Sequence, residues 1–206
     1  MDAIEVERWP AGTMTEADVL RFGLLCKAAF YPPGGPALTA EDEAEAVAEN
    51  LACWRDGVPM DMPEAVMHAV RVGGRLAAVG TTFVRTVFLE IGSGRAIGDA
   101  GWRAMEVLAL GDVATDAAWQ GRGLGTALLR DAFARIDELG LKVSLFQTET
   151  AQGLYERLGA RAVSNRFVDR TADDPQRHPW CDPVVMTYPA AAAWPAGRID
   201  LNGGCY

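Results

Sequence analysis

The chain has 206 residues, half of them hydrophobic and 23% charged, the proportions of an ordinary soluble globular protein with enough chain to bury a core. Nineteen basic residues against 28 acidic ones give a formal charge of −9, which argues against a nucleic-acid partner and is compatible with a cationic substrate. The four cysteines (Cys26, Cys53, Cys181, Cys205) lack metal-type spacing and only His68 and His178 could join them, so no zinc site is expected.

Residues 1–5 carry no basic region followed by an apolar one, and no apolar run is long enough to span a bilayer. The expectation is a cytoplasmic protein with free thiols and no membrane partner. A weakly alternating first strand is predicted over 4–9. Thr15 and Asp18 then form a helix start with a carboxylate in the first turn, and the helix runs over 16–30 until the Tyr31-Pro32-Pro33-Gly34-Gly35-Pro36 break. A second helix starts at Thr39 and Asp42, reaches about residue 54 and has an acidic, solvated face. Two β-rich runs, 66–72 and 76–87, flank Gly73-Gly74 and read as a hairpin. Residues 88–101 are glycine-rich and read equally as a hairpin extension or a loop over a site.

A strand over 105–115 leads into the densest motif of the chain. After Gly111-Asp112-Val113-Ala114-Thr115-Asp116 come Trp119 and then Gln120-Gly121-Arg122-Gly123-Leu124-Gly125-Thr126. From there Leu124, Leu128, Leu129, Ala132, Phe133, Ile136 and Leu139 recur at helical spacing. Glycines at a helix start expose backbone amides that have no intrahelical acceptor, at the positive end of the helix dipole. That combination is an anion site, and the missing Cβ atoms let a phosphate come close. No lysine follows the last glycine as in a P-loop, and Thr126 stands where a dinucleotide fingerprint starting at Gly121 needs glycine. Further strands are predicted over 142–147, 160–168 and 183–188, a short helix over 152–158, and a polar loop over 169–182.

The spacing of Gln120, Gly123 and Gly125 resembles the acyl-CoA-binding motif of the GNAT superfamily of N-acetyltransferases. A second segment, Leu154-Tyr155-Glu156-Arg157-Leu158-Gly159 with Ala151 before it, is similar to that family's Leu-Tyr-x-x-Leu-Gly motif, although Thr148 replaces its usual Asn and Ala160 its usual aromatic. The resemblance covers about residues 65–188. It implies an α/β fold, a mixed sheet of about six or seven strands with helices on both faces, as a single domain over 1–188 with a tail over 189–206 near the acceptor site. The tail, from Trp194 to Gly204, is similar to that of the aminoglycoside 2'-N-acetyltransferase branch and of the nodulation N-acyltransferases.

The implied reaction moves acetyl from acetyl-CoA to a primary amine of a small molecule, aminoglycoside-like or a polyamine, by direct attack and without a metal. Coenzyme contacts are expected from Val113, Ala114 and Thr115, from Gln120, Gly121, Arg122, Gly123, Leu124, Gly125 and Thr126, and from Thr148 and Ala151. Tyr155 is the expected acid toward the leaving thiolate and Asp112 the expected base, with Glu106 as its alternative. By analogy with the tail and last loop of those relatives, Trp180, Asp182, Trp194 and Asp200 would line the acceptor site. Alternatives are transfer of a longer acyl chain, acetylation of a protein amine, and an acyl-CoA sensor without turnover. A homodimer is the expected assembly.

Overall fold

In a computed structural model of the chain, the described residues are 3–31, 39–57, 62–92, 96 and 101–204. They divide into two units, one of residues 1–83 and 111–132, the other of residues 84–110 and 133–206.

The first unit begins with β1 (Ile4–Pro10), paired antiparallel with β2 (Val66–Val72), which in turn forms an antiparallel hairpin with β3 (Arg75–Glu90). Helix α1 (Glu16–Phe30) starts where Thr15 accepts the Asp18 amide, as its sequence predicts. Helix α2 (Ala40–Asn50) has a full capping box between Thr39 and Asp42 and continues into a π-helical turn, Leu51–Arg55. None of the residues of α2 is buried, in keeping with its acidic composition. The buried face of α1 (Val19, Phe22, Leu25) packs with Cys53, Trp54, Met67, Ala69, Leu76, Val79 and Ala114, and Phe22 meets Trp54 edge-on at 6.4 Å.

Strand β4 (Trp102–Thr115) and helix α3 (Leu124–Glu138), like β3, have residues in both units. Gly80 is the reason α3 can lie close on β3: a Cβ there would stand 2.9 Å from Leu128 Cδ2. The apolar stripe of α3 is buried from Leu124 to Ile136, as its period requires.

The second unit holds β5 (Ser144–Thr148), helix α4 (Gln152–Leu158), β6 (Arg161–Ala162), β7 (Arg166–Val168), β8 (Val184–Tyr188) and β9 (Arg198–Asp200). Its strand order is β4-β5-β8-β6, with β4–β5 parallel and the rest antiparallel, while β9 pairs with both β7 and the end of β3. The sheet is therefore mixed and the class α/β, as expected, and the described residues contain nine strands. The extra ones are short. The strand expected over 160–168 breaks into β6 and β7 because Asn165 turns aside to hold another segment, and β9 forms from the tail. Phe133 stacks on Tyr188 at 3.9 Å, and Val87, Leu145, Phe167, Trp180 and Ile199 share one core.

One expectation changes. Cys26 and Cys53 are free, but Cys181 is disulfide-bonded, so the thiols are not all reduced. Of the stretch 88–101, read as a hairpin extension or a loop, residues 88–90 continue β3 and most of the rest lies outside the described residues. Among those described, no helix is long and apolar enough to cross a membrane.

Candidate functional site

The expected site residues fall in both units. In the first, β4 ends with a kink. Asp112 has φ +53°, in the left-handed region that aspartate tolerates better than most residues. The Asp112 carboxylate accepts a 2.8 Å hydrogen bond from the Thr81 hydroxyl, and the Cys26 thiol lies 3.9 Å from the Asp112 carbonyl. Asp112 is recessed among surrounding atoms yet keeps an exposed surface, so it is both perturbed and reachable. Desolvation raises its pKa above the ordinary carboxylate value and outweighs the opposing hydrogen bond from Thr81. The same desolvation, with the charge of Asp112 beside it, pushes the Cys26 thiol up.

After Thr115 the chain forms a 3-10 turn (Ala117–Trp119) capped by Asp116, whose carboxylate accepts the Ala118 amide and pairs with Arg21. The Gln120 amide group donates to the Thr115 carbonyl at 3.3 Å and so closes the loop on itself. Gly121 and Gly123 have φ +75° and +81°, and nothing stands within 4 Å of where their Cβ atoms would be. Here the conformation needs glycine, and the space beside it is open. The Ala127 amide bonds the Gly123 carbonyl, which marks the first turn of α3 and leaves the amides of Leu124, Gly125 and Thr126 without intrahelical acceptors. Arg122 sits 4.7 Å over the Trp119 ring, which fixes a positive charge beside the turn. This geometry fits a diphosphate. Among the described residues no cluster of His, Cys, Asp and Glu could hold a metal ion.

In the second unit, β4 and β5 pair at Leu108↔Ser144 and Ala109↔Leu145, and β5 continues to Thr148. Thr148 accepts the Ala151 amide at 3.0 Å just before α4, and its own hydroxyl proton remains able to donate. Tyr155 is buried on α4, its ring 4.6 Å from that of Phe146. Gly159, in the left-handed conformation, ends that helix. Burial, and then the charge of Asp182, push the Tyr155 phenol up, so it carries its proton at neutral pH. Asp182 is itself raised, first by burial and then by Glu149. The Gln147 side-chain oxygen accepts the amides of both Cys181 and Asp182 at 2.8 Å and so fixes that loop.

The remaining candidates separate. Glu106 is exposed on β4. Trp180 is buried in the core, edge-on to Phe167. Asp200 is fully buried, bonded by Arg170 and accepting the amides of Arg170 and Asn202. Its placement is a tail anchor rather than the acceptor-lining position expected for it, since no cation from solvent reaches it. Trp194 donates its indole N–H to Asn165. Thr81, Gln147, Glu149 and Asn165 escaped the sequence reading because each acts on a residue far away or in a neighbouring loop, and no motif marks them.

Residues 82–159 match the family model described as Acetyltransferase (GNAT) domain. Among solved structures, the chain is similar to a GCN5-related N-acetyltransferase from Kribbella flavida (TM-score 0.55, 17% identity, 78% of this chain and 33% of that one). It is also similar to an acyl-CoA N-acyltransferase from Pseudomonas aeruginosa (TM-score 0.54, 16% identity, 90% and 99%). A third is glucosamine-6-phosphate N-acetyltransferase from Arabidopsis thaliana (TM-score 0.50, 13% identity, 79% and 95%). The chain thus spans about a third of the length of the Kribbella protein. At these identities the likeness is one of fold. No curated protein sequence matches the chain.

Proposed function

We propose that the chain, whose residues 82–159 match a GNAT acetyltransferase domain model, transfers acetyl from acetyl-CoA to a primary amine of a small molecule by direct attack. The observation that carries this reading is the glycine turn. Two left-handed glycines with open space beside them, and the free amides of the first turn of α3, suit a diphosphate.

In this reading the diphosphate sits on the amides from Gly121 to Thr126 and the pantetheine amides bond the end of β4 at Val113 and Thr115. Thr148 donates its free hydroxyl proton. An amine is protonated at neutral pH and must lose a proton before attack. Asp112 is suited to take it, because desolvation has raised its proton affinity while leaving it reachable. Glu106 is the alternative base. A backbone amide near Val113 or Ala114 would donate to the oxyanion. The Tyr155 phenol, held in its protonated form, donates to the departing thiolate. A phenol raised in this way is a weaker acid than a thiol, so its main service is hydrogen bonding to the developing charge. The acidic pair Asp182 and Glu149 favours a cationic acceptor, such as an aminosugar of the aminoglycoside kind or a polyamine.

The experiment is free-thiol release from acetyl-CoA across a panel of aminosugars, polyamines and amino-terminal peptides, with Tyr155→Phe as control. Turnover on a small amine supports the reading. Tight coenzyme binding with no turnover on any amine makes the protein a sensor instead. A parallel series of acyl-CoA lengths separates acetyl transfer from long-chain transfer.

A further inference from the structure

The second unit contains a cleft of about 540 Å³, within the size range of small-molecule sites. It is lined by the turn between β6 and β7 and by the tail segment before β9, with Arg161, Asn165, Arg166, Trp194, Arg198 and Glu90 as its functional side chains. None of the residues that carry the proposed acetyl transfer lines it.

The walls are preorganised. The Asn165 side-chain amide donates to the carbonyls of Pro195 and Gly197 at 3.0 and 2.9 Å, and its oxygen accepts the Trp194 indole N–H at 2.6 Å. Every polar atom of that side chain is engaged in tying one wall to the other. Arg198 is held in a bidentate pair with Glu90, at 2.6 and 3.0 Å. Arg161 and Arg166 are different. Their side-chain bonds go to neutral acceptors, the Ala192 carbonyl and the Gln176 side chain, and both are exposed without a carboxylate partner among the described residues. Three guanidinia therefore face one carboxylate in a protein whose formal charge is −9. The cleft reverses the sign of the molecule around it.

From this combination we infer that the cleft between the β6–β7 turn and the tail binds a small organic oxyanion, a carboxylate or phosphate monoester with a planar body that packs on Trp194. A protonated amine acceptor would be repelled there, so Trp194 belongs to this second site and not to the amine site. Arg161 and Arg166 supply the charge-assisted hydrogen bonds, and Trp194 supplies an aromatic wall fixed in place by Asn165.

The test is calorimetric titration of the full chain with phenyl phosphate, benzoate, benzylamine and benzyl alcohol, each with and without saturating CoA. The expected result is binding of phenyl phosphate or benzoate that survives CoA, with no binding of the amine or the alcohol. Binding of only one oxyanion identifies the headgroup. Arg161→Ala and Arg166→Ala should each weaken binding about tenfold, and Gly123→Ala should leave it unchanged. Both arginines are exposed, and circular dichroism checks that the variants fold. The inference is overturned if benzylamine binds as well as benzoate, if CoA displaces the oxyanion, if the double arginine variant retains the affinity, or if no oxyanion binds at millimolar concentration. Since Tyr155→Phe should lower acetyl transfer without touching this cleft, the two proposals fail separately.

Discussion

His68 Nδ1 lies 2.6 Å from Asp131 Oδ2, joining β2 to α3 through a histidine with no exposed surface. The other ring nitrogen is 2.8 Å from the Thr82 hydroxyl, and Arg8 donates to the same aspartate from β1. Burial works against the charge of Asp131, but the bonds from His68 and Arg8 outweigh it and hold its pKa down at about 2. A depressed folded pKa means stability that is present above the unfolded value of 3.8 and lost as pH falls toward 2. The loss should be on the order of 1–2 kcal/mol after discounting for solvent around a partly exposed carboxylate. Urea unfolding from pH 5 down to pH 2.5 measures it, and Asp131→Asn should remove this component of the slope. An unchanged slope in the variant would refute the assignment.

Tyr155→Phe keeps the ring against Phe146 and removes only the hydroxyl. Turnover should fall by about 10²–10³-fold, the cost of removing one donor to a developing charge, with the KM for acetyl-CoA nearly unchanged. Free-thiol release under steady-state conditions reads both parameters. A variant as active as the parent would remove Tyr155 from the chemistry.

Asp112 carries opposing demands. A carboxylate whose folded pKa is raised contributes stability below its unfolded pKa and costs stability once pH rises through the folded value. Asp112→Asn should therefore make the protein more stable at pH 7 while lowering kcat/KM. The acid limb of the pH–rate profile should lie above the ordinary carboxylate range and vanish in the variant. Thr81→Val removes the hydrogen bond that lowers the Asp112 pKa, so the limb should move to higher pH. A limb that stays put in Thr81→Val points to Glu106 as the base.

Gly123→Ala puts a side chain on a left-handed residue with room around it, so conformation alone opposes it. The KM for acetyl-CoA should rise roughly tenfold as the turn shifts. Gly74→Ala, at φ +78° and also in open space, is the matched control. It should cost similar stability in thermal unfolding and leave the KM alone. Equal kinetic effects from both would mean the glycine turn has no special part in coenzyme binding.

Local chemistry decided much that the sequence made legible. Thr15 with Asp18, Thr39 with Asp42, and Gly159 in a left-handed cap are interactions within one or two turns of helix, so α1, the start of α2 and the bounds of α4 are readable without a fold. The glycine turn is legible for the same reason, since a helix start stripped of side chains announces its free amides. What pairs across the chain is not legible. His68 and Asp131 are 63 positions apart, the tail strand β9 exists only because β3 and β7 accept it, and Asn165 breaks the expected strand over 160–168 to hold Pro195 and Gly197. Asp200 reads in the sequence as a charge free to meet a substrate, and only burial against Arg170 makes it an anchor. Side-chain periodicity records which face is apolar. It carries no record of which distant polar atom meets which, and only the tertiary structure brings Arg161 and Arg166 to one cleft with Trp194 and sets Asp112 against Thr81.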